Sequence, residues 1–216
     1  MTILALEFSS PHRSVALARD GRVLAEAAET GERGTNAFGL IEKVLAAAKI
    51  GREEIECLAV GLGPGSYAGI RVALSVTQGW QLATGVKLLG VGSAECLAAQ
   101  AQAEKILGRV NIVTDAQRGE FYLAAFEISA DGVKEIEALK IVSVAEVASR
   151  SQAGEFLAGP EVARRFPGGK NLFPQAAMLA TLATRRTDLV AGGKLEPVYL
   201  REINFVKAPP ARTLLS

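Results

Sequence analysis

Short apolar runs separated by turn residues open the chain. Residues 2–8 form the first run, which Ser9-Ser10-Pro11 ends, and residues 14–18 and 22–28 form two more. Asp20-Gly21 joins the second and third runs, and this dipeptide is typical of a tight hairpin turn. The pattern predicts a meander of three antiparallel strands.

Helices and strands alternate after this meander. The spacing of apolar positions predicts helices over 36–49, 66–84 and 94–103, with strands over 55–61 and 86–91 between them. The order β-β-β-α-β-α-β-α indicates a mixed sheet with helices on its faces. This order resembles the ribonuclease-H-like fold of actin-like ATPases. The fold class that we expect is therefore α/β, of the actin-like ATPase (ribonuclease-H-like) type.

The second half partly repeats this order. The predicted strands are 109–114, 120–128, 133–142 and 155–158, and the predicted helices are 143–149 and 175–186. We expect two lobes with mixed sheets flanked by helices, an N-terminal lobe over 1–104 and a C-terminal lobe over 105–194. The proline-containing segment 195–216 is expected to cross back and to end as a loose tail.

Composition narrows the function classes. Of the 216 residues, 24 are Lys or Arg and 23 are Asp or Glu, so the net charge is +1 and no basic footprint for nucleic acid is evident. If the chain serves RNA, another subunit is expected to supply most phosphate contacts. Cys57 and Cys96 lie in apolar stretches and are predicted to be core thiols. No apolar run reaches about 18 residues and no signal peptide is recognisable, so we expect a cytoplasmic protein without a membrane partner.

A glycine-rich string, GLGPGSYAGIR at residues 61–71, follows a predicted strand and opens a predicted helix. Gly63, Gly65 and Ser66 could let backbone N–H groups approach a phosphate at the helix N-terminus. The spacing fits neither common phosphate-loop motif, and Pro64 removes one N–H donor. Two interpretations stay open: direct contact with a nucleotide, or a structural turn from strand to helix.

The first strand ends in Glu7, followed by Ser9 and Ser10. In actin-like ATPases an acidic residue here helps to hold the nucleotide's metal ion, and hydroxyl groups face its phosphates. Glu7 is one methylene longer than an aspartate, which matters for the tight octahedral geometry of Mg²⁺. The alternative is a carboxylate hydrogen-bonded within its own loop. We expect no cofactor, or at most a weak, degenerate ATP site formed by Glu7, Ser9, Ser10, Gly63, Gly65 and Ser66.

Histidine is scarce, which limits metal and catalytic chemistry. His12 is the single histidine of the sequence, so a pair of histidines on one helix cannot exist. We assign no catalytic residue and no metal ligand. The segment 115–122, DAQRGEFY, joins two strands; its charges could form local salt bridges, or it could be a contact surface at the cleft between the lobes.

The helices over 36–49 and 66–84 are apolar beyond what one core requires. The first carries two neighbouring apolar stripes, and we expect Leu40 and Val44 to form its outer stripe. The second contains a single charge, Arg71. The additional apolar surface has to be covered, either by the C-terminal segment of the same chain or by another subunit. We predict that the two helices lie side by side and form a partner surface. Its residues are Phe38, Leu40, Ile41, Val44, Tyr67, Ile70, Arg71 and Leu74.

Several strings together resemble one known family, TsaB, also called YeaZ. They are LALEFSS, RSVALARDG, GLGPGSYAGIRVAL, DAQRGEFY and EPVYLRE, and they run through nearly the whole chain. The resemblance implies a noncatalytic subunit that pairs with the catalytic subunit TsaD. The small ATPase TsaE joins them, and the assembly transfers a threonylcarbamoyl group to an adenosine of tRNA.

The same resemblance implies a homodimer when the chain is alone, and contact with tRNA only through the complex. Glu7 departs from the family pattern, in which aspartate is frequent, and residues 32–36 lack a histidine often found there. Both departures lower the expectation of nucleotide binding. The alternative function is a nucleotide-binding transferase or ATPase of the actin-like class that acts on its own.

Overall fold

The fold consists of two five-stranded sheets and six α-helices, in a computed structural model that describes residues 1–31, 34–190, 195–198 and 200. The first sheet has the strand order β3-β2-β1-β4-β5, in which β1 is antiparallel to β2 and parallel to β4. Its strands are β1 (Thr2–Glu7), β2 (His12–Arg19), β3 (Arg22–Thr30), β4 (Cys57–Gly61) and β5 (Lys87–Val91). The predicted antiparallel meander and mixed sheet are both confirmed.

The second sheet repeats the topology of the first. Its order is β10-β9-β6-β7-β8, with β6 antiparallel to β7 and parallel to β9. Its strands are β6 (Gly108–Asp115), β7 (Glu120–Ile128), β8 (Val133–Ser143), β9 (Phe156–Gly159) and β10 (Lys170–Asn171). A meander followed by two parallel strands in each half is the arrangement that the predicted actin-like, ribonuclease-H-like fold requires, so the fold class is confirmed.

The helices follow the predicted positions with small shifts at their ends. They are α1 (Ala37–Ala48), α2 (Tyr67–Thr84), α3 (Ser93–Ala103), α4 (Val144–Gln152), α5 (Val162–Arg165) and α6 (Ala176–Ala183). The side chain of Asn36 accepts a hydrogen bond from the Gly39 N–H, and Ser66 does the same for Gly69. These caps satisfy N–H groups that the first helical turn leaves unpaired, and they fix where α1 and α2 begin.

Helices α1 and α2 lie next to each other on one face of the first sheet, as predicted from the short connection between them. Helix α6 covers the opposite face, although it follows the second sheet in the chain. Helix α3, which follows the first sheet, packs against β6 and β7 of the second. The two halves therefore exchange their third helices, and α3 and α6 contact each other between the sheets.

The described part of the C-terminal segment runs back along the first sheet. Val190 pairs with Leu88 of β5, and the N–H of Val198 donates to the Leu62 carbonyl at 2.9 Å. The predicted loose tail lies outside the described residues from 201 onward, and the lobe boundaries stay a prediction. Within the described residues, no helix is both long and apolar enough to cross a bilayer.

Candidate functional site

The segments that the sequence singled out meet at one cleft of about 1100 Å³ between the two halves. Ser9, Ser10 and the start of α2 line it on one side. The 115–118 loop, Tyr122 and the turn at Pro160-Glu161 line it on the other. Strand ends and helix starts supply most of this lining, as is common for clefts in α/β folds.

Glu7 belongs to this region by sequence but is completely buried behind it. Its carboxyl oxygens accept hydrogen bonds from the Ser9 N–H at 2.7 Å and from the Ser93 hydroxyl at 3.3 Å. Burial raises the pKa of the Glu7 carboxyl above its ordinary value, and the hydrogen bonds from Ser9 and Ser93 oppose this effect. The Ser9 contact agrees with the interpretation of Glu7 as a group hydrogen-bonded within its own loop, and Ser93 adds a partner from the start of α3.

Both predicted hydroxyl groups already bond to the protein itself. The Ser9 and Ser93 hydroxyl oxygens lie 2.9 Å apart and share a hydrogen bond, and the Ser10 hydroxyl donates to the His12 carbonyl at 2.8 Å. Both serines are almost fully buried. Sequence reasoning missed Ser93, which lies 86 positions after Glu7 and becomes its partner only through the fold.

The glycine string forms a close contact between two backbone segments. The Ser66 N–H donates to the Ser9 carbonyl at 2.6 Å. A Cβ atom on Gly65 would lie 2.0 Å from that same carbonyl oxygen, and one on Gly69 would lie 2.0 Å from the Phe8 carbonyl oxygen. Only glycine allows this approach, and Gly65 also has a φ of +154°. These contacts favour the structural interpretation, since a carbonyl group already occupies the start of α2.

The second half contains an equivalent turn that sequence reasoning missed. Gly159, at the end of β9, also has a φ of +154°, and a Cβ atom there would lie 1.9 Å from the Val113 carbonyl oxygen. The available signal was a glycine followed by Pro160 after a short predicted strand. The structural repeat between the two halves therefore includes this glycine turn, which follows β4 in the first half and β9 in the second.

A side-chain hydrogen bond and two residues with positive φ angles define the conformation of the 115–120 loop. Asp115 accepts a hydrogen bond from the Gln117 N–H at 2.7 Å, while Gln117 and Arg118 adopt positive φ angles of 66° and 58°. Among the described residues, Asp115 and Arg118 form no ion pair, so neither of these two charges supplies a local salt bridge. Both residues line the cleft, as the alternative prediction of a contact surface requires.

The prediction that Leu40 and Val44 lie on an outer stripe is wrong. Leu40 and Val44 are 2% and 1% exposed and belong to the core of the first sheet. Ile41, Ile70 and Leu74, predicted for the same surface, are also buried there. The reason is geometric: α1 contacts β2, β3 and α2 together, so two of its stripes are covered within the chain.

The remaining predicted surface residues do face solvent. Phe38 and Tyr67 are 69% and 59% exposed, and Arg71 is exposed beside them. The Arg71 guanidinium lies 5.2 Å from the centre of the Tyr67 ring and donates to its hydroxyl at 2.8 Å. These three residues stay predicted interface positions.

His12 sits at the start of β2, where its Nδ1 lies 3.1 Å from the Thr30 hydroxyl. In the described part of the chain, no group of three or more His, Cys, Asp or Glu residues is arranged to hold a metal ion. Both cysteines are buried, as predicted.

Comparisons with known proteins identify the family. A family model described as "TsaD: tRNA N6-adenosine threonylcarbamoyltransferase" matches residues 34–195. The tRNA threonylcarbamoyladenosine biosynthesis protein TsaB of Escherichia coli is 27% identical, over 93% of this chain and 95% of that protein. The Haemophilus influenzae protein of the same name is 26% identical, over 97% and 98% of the two chains. The chain belongs to the TsaB (YeaZ) family.

A solved structure supports the same assignment. YeaZ from Pseudomonas aeruginosa superposes with a TM-score of 0.79 at 28% identity, and the match covers 92% of this chain and 99% of that one. The TsaB family resemblance noted from the sequence strings is therefore confirmed over nearly the full length. Membership connects the chain with threonylcarbamoyladenosine biosynthesis on tRNA.

Proposed function

We propose that the chain is a noncatalytic partner subunit that binds TsaD and supports threonylcarbamoyl transfer to an adenosine of tRNA. The observation that carries this proposal is the nearly full-length similarity to relatives named for this pathway. TsaE would join the assembly, and the isolated chain would form a homodimer. The proposed location is the cytoplasm.

The chemistry of the cleft supports a noncatalytic role. An actin-like ATPase needs a carboxylate and hydroxyl groups free to face metal and phosphate. Here Glu7, Ser9 and Ser10 bond to the protein itself. The Ser66 N–H at the start of α2 is also taken by the Ser9 carbonyl. The alternative, an ATPase or transferase acting alone, would require these contacts to break.

The outer face of α1 and α2 is the surface that we propose for TsaD. Phe38, Tyr67 and Leu82 extend from it, with Leu82 88% exposed, and Ala68, Ser75, Gly79 and Ala83 are small exposed residues of α2. The distance between packed helices depends on the side chains at the contact, and small ones let a second pair of helices approach closely. Homodimerisation would use the same face, so the two associations would exclude each other.

Gly79→Arg tests this surface with little risk to the fold. A Cβ atom on Gly79 meets nothing within 4 Å, so a long side chain there stays in solvent in the monomer. Replacing a helical glycine should keep or raise stability, by about 0.5–1 kcal/mol. We expect the variant to lose co-purification with TsaD and to lower threonylcarbamoyl transfer by the reconstituted complex.

Gly132→Arg is the matched control, since Gly132 is equally open and lies in the β7–β8 turn. It should bind TsaD as the parent chain does. If Gly79→Arg still binds TsaD with the parent affinity, the α1–α2 face is not the interface. If the parent chain does not bind TsaD, the proposed function itself is wrong.

A further inference from the structure

Four arginines that have no carboxylate partner among the described residues lie around the cleft. Arg71 and Arg118 line the main cleft, and Arg164 and Arg165 line a smaller cavity of about 220 Å³. The two cavities share Asp115, Pro160 and Glu161, so they are neighbours on one surface. Elsewhere, arginines in the described residues commonly pair with carboxylates, as at Arg13, Arg19, Arg52, Arg109, Arg150 and Arg186. We call the four unpaired residues the arginine rim.

Two arginines of the rim contact aromatic rings, which leave the positive charge of the guanidinium groups unneutralised. Arg71 lies over the Tyr67 ring, and Arg165 lies 5.8 Å from the centre of the Phe121 ring. A ring face stabilises a guanidinium group and leaves its N–H donors available. The acidic residues of the lining are Asp115 and Glu161, and an oxygen of Asp115 already accepts from Gln117. The rim therefore has an excess of positive charge.

The distribution of the rim favours a polyanion over a single phosphate. Its members come from α2, the β6–β7 loop and α5, and all four are exposed. A small nucleotide would need donors that converge at one point, whereas a nucleic-acid backbone presents phosphates along its length. Arginine guanidinium groups and aromatic rings are also the groups that bind single-stranded or looped RNA.

We propose that the arginine rim binds the ribose–phosphate backbone of the tRNA directly, through Arg118, Arg164 and Arg165 when TsaD covers Arg71 on the proposed α1–α2 face. This inference rests on the proposed function, because it assumes that the complex acts on tRNA. It replaces the expectation that another subunit supplies most phosphate contacts. That expectation followed from the net charge of +1. This value is a sum over the whole chain, so it does not reveal a local excess of positive charge at the cleft.

The double variant Arg118→Gln/Arg164→Gln tests the proposal. Neither side chain forms an ion pair or a ring contact among the described residues, so removing them should leave the fold intact. Arg22→Gln/Arg185→Gln is the matched control, because these two exposed arginines also form no ion pair within the part of the chain that the structure describes, and they line neither cavity. Both doubles lower the charge by the same amount.

The readout is fluorescence anisotropy of an unmodified tRNA transcript, titrated over a salt series with the chain alone and with the chain bound to TsaD. We expect the rim variant to weaken binding by about tenfold or more and to reduce the slope of log affinity against log salt by about 2. The control double should match the parent chain. Association with TsaD, measured separately, should be unchanged in both.

Unchanged tRNA affinity and salt slope in the rim variant would overturn the proposal. Loss of TsaD association with tRNA binding intact would also overturn it, because the rim would then be a protein interface. Failure of the proposed function is distinguishable, since it would appear as an absence of TsaD binding by the parent chain.

Discussion

Glu7 carries an acidic group in a place where water cannot reach it. Full burial disfavours the charged form, and the hydrogen bonds from Ser9 and Ser93 compensate for only part of the lost hydration. The pKa of Glu7 is therefore higher in the folded chain than in the unfolded chain. As the pH rises above the ordinary range for glutamate, about 4.3, the unfolded chain loses this proton first, and the folded state loses stability.

Glu7→Gln should consequently stabilise the protein at neutral pH. The amide keeps the size of the side chain, can accept from the Ser9 N–H and can donate to the Ser93 hydroxyl, but it has no proton to lose. Thermal or urea unfolding of both proteins between pH 4 and pH 8 measures the effect. The advantage of the variant should be largest at the upper end and should vanish near pH 4.

Glu127→Gln provides the reference, because it makes the same chemical change at an exposed position on β7. If Glu7→Gln were less stable than the parent chain at pH 7, the folded state would favour the charged carboxylate. Burial would then not control the protonation of this residue.

At the scale of elements, α1 shows what periodicity can and cannot decide. The apolar positions of this helix predict its length and its amphipathic character, whereas its N-cap at Asn36 was not predicted. The apolar positions do not reveal how much of the helix surface is buried by neighbouring elements. Here the helix lies against β2, β3 and α2 at once, and this arrangement buries the stripe of Leu40 and Val44 as well as that of Ile41 and Leu45.

The variants Val44→Glu and Ala47→Glu separate the two faces of α1. Val44 is 1% exposed, so glutamate there would place an unpaired charge in the core and should cost about 3 kcal/mol or more. Ala47 is exposed on the same helix and should accept glutamate with a change below about 0.5 kcal/mol. Urea unfolding of both variants gives the comparison, and equal losses would contradict the burial described for α1.

Strands were predictable from sequence because local chemistry marks their ends. Asp20-Gly21 and Asp131-Gly132 lie in the turns of two hairpins, and the glycine string 61–66 lies between β4 and α2. The site was less predictable. Glu7 and Ser93 are far apart in the chain, and the Ser9 carbonyl that meets the Ser66 N–H gives no local signal. The rim was hidden because its residues come from three separated segments.

At the scale of the whole molecule, the exchange of α3 and α6 connects the two halves. Ile3, Ala5, Ala16 and Ala18 are fully buried against α6, whose Leu179, Ala180 and Ala183 are also completely covered. The Ser14 hydroxyl also accepts a hydrogen bond from the Ala176 N–H at the start of α6, at 2.8 Å. The apolar face of the first sheet therefore depends on a helix from the other half.

A fragment of residues 1–104 should accordingly fail to fold, although it contains every strand of the first sheet. Without α6 the face formed by Ile3, Ala5, Ala16 and Ala18 would be open to water. The fragment 1–200, which retains all the described residues, should melt cooperatively like the full chain. Circular dichroism melting curves compare the two, and a cooperative transition in the shorter fragment would show that the first sheet does not need α6.

The same exchange has a consequence during protein synthesis. The first sheet leaves the ribosome well before α6 has been translated. The face of the sheet that α6 covers therefore stays exposed until residues 176–183 have been made. At roughly 5–20 residues per second the wait lasts on the order of seconds, long enough for chaperones or a second nascent chain to reach the open face. Slower translation between α3 and α6 would lengthen this vulnerable period, whereas pauses after α6 would leave the first sheet protected.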